Sequence, residues 1–160
     1  MPHICATHLK KDPFKISTNH GKKNVNSWGT WKKMLPDTPA NVVLAQEHRL
    51  MNAEAIYSAS QWCSRNGWKS FWCPALETDL GTSGGVAILV RDWLGLFSHV
   101  EGSVVSPGHS IMAEVQVPGG LTFSVGSVYL YNREGPSDKN VDLLASLGVR
   151  FSSLGGSYVL

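Results

Sequence analysis

Apolar positions along this chain follow strand-like spacing in some segments and helix-like spacing in others. Short apolar or alternating runs, rich in β-branched and aromatic residues, predict a series of strands. The predicted strands lie at 14–17, 42–45, 68–73, 85–90, 111–117, 121–130 and 157–160. Recurrence at intervals of three and four predicts helices at 28–35, 52–66 and 137–151. Helices that alternate with hairpin strands favour an α/β fold of mixed sheets over a purely parallel, doubly wound sheet.

Turn-forming residues separate these elements and bound the domain. Residues 1–13 end in Asp12-Pro13 and are predicted to be an irregular lead-in, followed by one partial domain at 14–160. A polar, glycine-containing loop is predicted at 74–84. Pro118-Gly119-Gly120 predicts a hairpin turn.

Composition and charge narrow the class of protein only moderately. The 160 residues are 42% hydrophobic and 16% charged, which is a globular composition. The net charge of +2 comes without a long basic run, so it permits nucleic-acid binding without arguing for it. The three cysteines form no CxxC pair, which favours free thiols. The sequence shows neither a signal peptide nor an apolar run of membrane-spanning length, so we expect an intracellular protein, nuclear or cytoplasmic, without a membrane partner.

Polar side chains at the ends of predicted strands carry the candidate chemistry. The strand at 42–45 is followed directly by Gln46, Glu47 and His48. Ligands of α/β folds bind outside the carboxyl ends of strands, so Glu47 is well placed to hold a cation. A solvated acid at the end of a strand is the alternative for Glu47. The segment by itself does not separate the two.

Further oxygen-bearing side chains come before the first predicted helix and after the strand at 121–130. They are Asn24, Asn26, Tyr129 and Asn132. Mg²⁺ prefers oxygen ligands and keeps several waters, so one or two protein oxygens suffice to hold it. Amide and phenol groups can also orient a phosphate. The set indicates metal-assisted hydrolysis of a phosphodiester.

The order of these segments resembles that of the endonuclease/exonuclease/phosphatase superfamily. The matching segments are, in chain order, 24–28, 42–47, 83–89, 107–117, 127–132 and 157–160. His109 stands where the superfamily usually has an arginine. The amino-acid sequence at 46–48 and 83–93 is most similar to that of the endonuclease domains of retrotransposons.

The resemblance implies a fold, a cofactor, a partner and roles for individual residues. The implied fold is a four-layer α/β sandwich of mixed sheets, with Mg²⁺ or Mn²⁺ as cofactor and nucleic acid, chiefly DNA, as partner. Glu47 would bind the metal, and Asn26 would assist it through a water. Asn24, Tyr129 and Asn132 would orient the scissile phosphate.

Several of these residues have alternatives that the sequence leaves open. Asn19 competes with Asn24 as the asparagine of the first motif, and Asn26 could simply begin the helix. Tyr129 could pack at the sheet edge and Asn132 could form a turn. The lower-ranked candidates for substrate contact are His48, Arg49 and Ser83. For His48 and Arg49 the alternative is a pair of surface side chains that are bonded to each other or to solvent.

The superfamily's Gly-Asp-x-Asn motif and its later Asp and His would fall after Leu160. In the superfamily the Asp and His orient and deprotonate the attacking water, and the Asn of the motif helps to hold the phosphate. We therefore expect a C-terminally truncated domain that hydrolyses nucleic acid poorly or not at all. The alternative is a non-catalytic, nucleic-acid-binding or relic fragment of a retroelement endonuclease.

Overall fold

The computed structural model describes residues 15–18, 27–98, 104–131, 137–154 and 158–159. The α-helices in these residues are α1 (Trp28–Met34), α2 (Ala53–Arg65) and α3 (Asp138–Leu154), and a short 3-10 helix (Leu35–Asp37) follows α1. The strands are β1 (Ile16–Thr18), β2 (Val42–Gln46), β3 (Trp68–Cys73), β4 (Leu76–Thr78), β5 (Gly81–Ser83), β6 (Val86–Arg91), β7 (Gly95–Phe97), β8 (Val104–Ser106), β9 (Ser110–Val117), β10 (Leu121–Val128) and β11 (Tyr158–Val159). The predicted lead-in at 1–13 lies outside the described residues.

Two helices begin at side-chain caps that the sequence makes recognisable. Ser27 Oγ accepts a hydrogen bond from the Thr30 backbone N–H at 3.4 Å at the start of α1. Asn52 Oδ1 accepts one from the Ala55 N–H at 2.8 Å at the start of α2. Each bond satisfies a backbone donor that the helix itself leaves unpaired.

Two sheets of mixed strand direction form the centre of the molecule. The first has the order β1-β2-β6-β3, with β1 parallel to β2 and β6 antiparallel to both β2 and β3. The second has the order β11-β10-β9-β7, with β8 also paired to β9 and β11 parallel to β10. The prediction of an α/β fold with mixed sheets is therefore confirmed.

The central strand β2 is buried on both faces, which explains its uninterrupted apolar sequence. Val42 and Leu44 pack in a cluster with β9 and β10 of the second sheet. Val43 and Ala45 pack in a second cluster with α1 and α2. On the far side of β9, Met112 packs with side chains of α3. Helices thus cover the outer faces of both sheets, while the four-layer sandwich of a complete domain and the truncation stay predictions.

Some predicted elements differ from the structure. The segment 74–84, predicted as a loop, contains the short hairpin of β4 and β5, and β7 and β8 were not predicted. These strands have only three residues each, too few to show an alternating pattern. The predicted strand at 121–130 ends earlier, at Val128. No helix among the described residues is long and apolar enough to cross a membrane.

Three side-chain hydrogen bonds join residues 45–47, at the end of β2, to residues 127–129, at the end of β10. We call these six residues the cross-sheet seam. Ser127 Oγ donates to the Ala45 carbonyl at 3.0 Å, and Gln46 Nε2 donates to the Val128 carbonyl at 2.6 Å. The third bond joins Tyr129 to Glu47. Because these bonds connect different sheets, they fix the ends of β2 and β10 relative to each other.

Replacement of Ser127 by alanine tests the seam as a structural element. Ser127→Ala removes a fully buried hydrogen bond and should lower the free energy of unfolding by about 1 kcal/mol in urea denaturation. Ser146→Ala, on the exposed face of α3, is the matched control and should change it by less than about 0.5 kcal/mol. Equal losses in the two variants would contradict a stabilising role for the bond.

Candidate active site

The seam brings together Glu47 and Tyr129, the predicted metal ligand and one of the predicted phosphate-orienting residues. Glu47 follows β2 and Tyr129 follows β10, on different sheets. The Tyr129 hydroxyl donates to Glu47 Oε1 at 2.5 Å, in a partly buried position. Hydrogen bonds to a carboxylate are shorter and stronger than those between neutral groups. The bond engages Oε1, one of the two carboxylate oxygens of Glu47.

The backbone around Glu47 is strained. Glu47 has φ 53° and Arg49 has φ 60°, in the left-handed region that non-glycine residues rarely adopt. Such residues typically cost about 1–3 kcal/mol each and are frequent at functional sites. The His48 N–H donates to the Gly85 carbonyl at 3.3 Å, and the Arg49 N–H donates to the Gly84 carbonyl at 3.2 Å. These bonds hold the strained segment in place.

Gly84 and Gly85 occupy positions where the structure leaves no room for a side chain. Both residues have positive φ, 73° and 85°. A Cβ on Gly85 would lie 2.6 Å from His48 Cε1, and one on Gly84 would lie 2.6 Å from the carbonyl oxygen of Gly108. The glycines therefore allow the ends of β2, β6 and the turn before β9 to approach each other closely.

His48 is part of the core beneath this segment and is only 1% exposed. The Leu50 N–H donates to Nδ1 at 3.0 Å, so Nδ1 carries no hydrogen in this state. Nε2 therefore donates, toward the carbonyls of Cys73 at 3.0 Å and Val86 at 3.3 Å. The neutral ring links the ends of β2, β3 and β6.

The burial of His48 corrects two sequence interpretations. Neither a surface pair with Arg49 nor a contact with substrate phosphate fits a side chain whose two nitrogens are both bonded inside the core. Burial lowers the pKa of His48 to about 4, and the hydrogen bonds to the Cys73 and Val86 carbonyls only partly offset this effect. His48 is a neutral structural residue at ordinary pH.

The other low-ranked candidates lie beside the strained segment. The Arg49 side chain is exposed, while its N–H is bonded to Gly84. Ser83 is half-buried, ends β5 and directly precedes Gly84. Arg49 and Ser83 therefore stay predicted substrate contacts.

Four asparagines of the predicted site fall outside the described residues. They are Asn19, Asn24, Asn26 and Asn132. The predicted roles of Asn24, Asn26 and Asn132, and the choice between Asn19 and Asn24, therefore stay predictions.

His109, where the resemblance predicts an arginine, is hydrogen-bonded to the backbone of Tyr129. The Tyr129 N–H donates to the His109 carbonyl at 2.7 Å, and His109 Nδ1 donates to the Tyr129 carbonyl at 2.7 Å. The imidazole also stacks on Tyr131, with ring centroids 3.9 Å apart. The sequence marked His109 as unusual but gave no sign of this contact.

A metal ion would find one carboxylate at this site. Among the described residues no group of three or more His, Cys, Asp or Glu side chains lies close enough to hold a metal. This donor set does not suit zinc, which takes three or four protein ligands. It does suit Mg²⁺, which is often bound by one or two carboxylates and several waters. Glu47 is the one residue of the described seam that supplies such a group.

Two solved structures share their fold with this chain. Both are crystal structures of ANGEL2, a 2',3'-cyclic phosphatase, and one contains adenosine-2',3'-vanadate. The complex matches with a TM-score of 0.53 and 16% identity over 76% of this chain and 37% of that chain. The second matches with a TM-score of 0.53 and 18% identity over 78% and 38% of the two chains.

These comparisons support the resemblance at the level of fold. ANGEL2 is a member of the endonuclease/exonuclease/phosphatase superfamily, and at these identities the likeness concerns the fold alone. This chain spans less than two-fifths of the length of the ANGEL2 structures, 37% and 38%. No family model and no curated protein matches the sequence. The likeness does not support the narrower assignment to retrotransposon endonucleases.

The lowered pKa of His48 predicts a pH-dependent stability. An unfolded histidine titrates near 6.5, while folded His48 resists protonation down to about 4. The unfolded chain therefore binds the extra proton in this window. Stability contributed by neutral His48 should be complete above about pH 6.5 and should decrease as pH falls toward 4, by an amount on the order of 3 kcal/mol.

Urea denaturation at a series of pH values checks this expectation. His48→Gln keeps a donor and an acceptor but does not titrate, so its free energy of unfolding should fall less steeply below pH 6.5 than that of the wild type. Parallel pH dependences in the two proteins would show that His48 does not make the predicted contribution.

Proposed function

We propose that this chain carries the metal-anchoring part of the active site of a metal-dependent phosphodiester hydrolase that acts on nucleic acid. The observation that supports this most is the hydrogen bond between Tyr129 and Glu47 at 2.5 Å. The two residues lie 82 positions apart in sequence, and the superfamily resemblance implies a role at the site for each of them. The shared fold with ANGEL2 is consistent with this class of chemistry.

Glu47 would hold Mg²⁺ or Mn²⁺ through its carboxylate, with Asn26 assisting through a water. When bound, the metal would supply positive charge that polarises a phosphoryl oxygen. The Tyr129 hydroxyl donates to Oε1 and so fixes the orientation of the carboxylate.

Asn24, Tyr129 and Asn132 would orient the scissile phosphate, and Arg49 and Ser83 would contact the substrate backbone. None of these residues is proposed as the general base. Loss of a general base alone typically lowers the rate by about 10²–10⁴. We therefore expect slow turnover by the chain on its own.

The class of nucleic acid is the narrower part of the proposal. The resemblance of the sequence at 46–48 and 83–93 to retroelement endonucleases favours DNA as the substrate. The ANGEL2 complex, which holds an adenosine-2',3'-vanadate, favours a ribonucleotide substrate. Both classes of substrate carry the phosphodiester that a metal at Glu47 would engage. DNA is the form we propose, and RNA is the comparison in the test.

Metal binding by the purified chain tests the proposal most directly. Glu47→Gln removes the charge of the anchoring carboxylate while it keeps the size of the side chain. It should weaken the binding of Mn²⁺, measured by calorimetry, by at least about tenfold, because a hard cation binds an ionised carboxylate more strongly than a neutral amide. Glu54→Gln, at an exposed position in the first turn of α2, is the matched control and should bind like the wild type.

Turnover of a labelled DNA strand and a labelled RNA strand separates the two candidate functions. Slow, metal-dependent cleavage that Glu47→Gln abolishes supports the hydrolase. Salt-sensitive nucleic-acid binding without cleavage supports the non-catalytic alternative. Mn²⁺ binding that is equal in wild type and Glu47→Gln would overturn the assignment of Glu47 as the anchor.

A further inference from the structure

The backbone of Tyr131, just past the end of β10, makes its hydrogen bonds to a single side chain. Asn140 Oδ1 accepts from the Tyr131 N–H at 2.8 Å, and Asn140 Nδ2 donates to the Tyr131 carbonyl at 3.2 Å. One carboxamide thus makes the pair of bonds that a residue of a neighbouring strand would make. A side chain from the first turn of α3 therefore supplies the hydrogen bonds that a neighbouring strand would make to the Tyr131 backbone.

Asn140 is a polar residue buried in the first turn of α3. It is 5% exposed, and asparagine is an unfavourable residue within a helix. The cap of α3 comes from a different residue, because Ser137 Oγ accepts from the Asn140 N–H at 3.4 Å. A buried carboxamide is costly unless its donor and acceptor are both bonded. The pairing with Tyr131 meets this requirement.

Asn140 and His109 act on alternate residues of the same segment. His109 bonds to both backbone groups of Tyr129, and Asn140 bonds to both backbone groups of Tyr131. The Tyr131 ring stacks on the His109 imidazole at 3.9 Å, so the two pairs are in contact. At the other end of this assembly the Tyr129 hydroxyl reaches Glu47.

We propose that Asn140 is a positioning residue of the candidate active site. By fixing the backbone of Tyr131, it holds Tyr129 within reach of Glu47. The effect on the contact between Tyr129 and Glu47 is independent of function. The effect on metal binding rests on the function proposed above.

Two variants remove different parts of the contact. Asn140→Asp keeps the acceptor for the Tyr131 N–H but places a carboxylate oxygen against the Tyr131 carbonyl. Asn140→Leu is similar in size and removes both bonds. Asn66→Asp is the matched control, because the exposed Asn66 Nδ2 also donates to a backbone carbonyl, that of Trp62 at 2.8 Å, and the substitution adds the same charge.

The first measurement is NMR without metal, on the Tyr129 hydroxyl proton and the Glu47 carboxyl carbon. Both resonances should shift or broaden in Asn140→Asp and Asn140→Leu and should stay unchanged in Asn66→Asp. The second measurement is Mn²⁺ affinity, which should fall by about tenfold in both Asn140 variants, the lower end of the effect of residues that orient metal ligands.

Unchanged Tyr129 and Glu47 resonances in a folded Asn140→Asp variant would overturn the proposal. Unfolding of both Asn140 variants would also overturn it, because Asn140 would then be required for the fold as a whole. If the wild type binds no Mn²⁺, the proposed function fails, while the metal-free NMR still decides the positioning role of Asn140.

Discussion

The cross-sheet seam is the constraint on which the candidate active site depends. Residues 45, 46 and 47 each bond to residues 127, 128 and 129 in turn, always at a separation of 82 positions. The first two bonds are structural, and the third joins the carboxylate to the phenol. Because the three follow one another in register, the first two bonds determine where the third can form. The geometry of the site is therefore set by the packing of the two sheets.

The seam is supported by a strained segment that the surroundings hold in place. Glu47 and Arg49 adopt positive φ angles. The backbone N–H groups of His48 and Arg49 donate to the carbonyls of Gly85 and Gly84. Neutral His48 fills the space that a side chain on Gly85 would need. Strain, close approach and a buried imidazole thus act together to place one carboxylate at the end of β2.

The sequence indicates the elements of this fold better than it indicates their contacts. The long helices and the strands at the centre of the sheets were predictable because their periodicity and caps are local properties of the chain. The superfamily resemblance also selected Glu47 and Tyr129, which the structure places in contact. The burial of His48 could not be read from its neighbours in sequence, because the groups that enclose it belong to β3 and β6. The roles of Ser127 and Asn140 were missed for the same reason, since each depends on a partner in another element.

The central claim is that the seam anchors a metal ion at Glu47. Paramagnetic broadening of backbone amide resonances by Mn²⁺ tests this claim directly, because broadening decreases steeply with distance from the ion. We predict that the amides of residues 47 and 129 broaden first, while those of the C-terminal end of α2 persist. Broadening centred elsewhere, or equal throughout the chain, would contradict the claim.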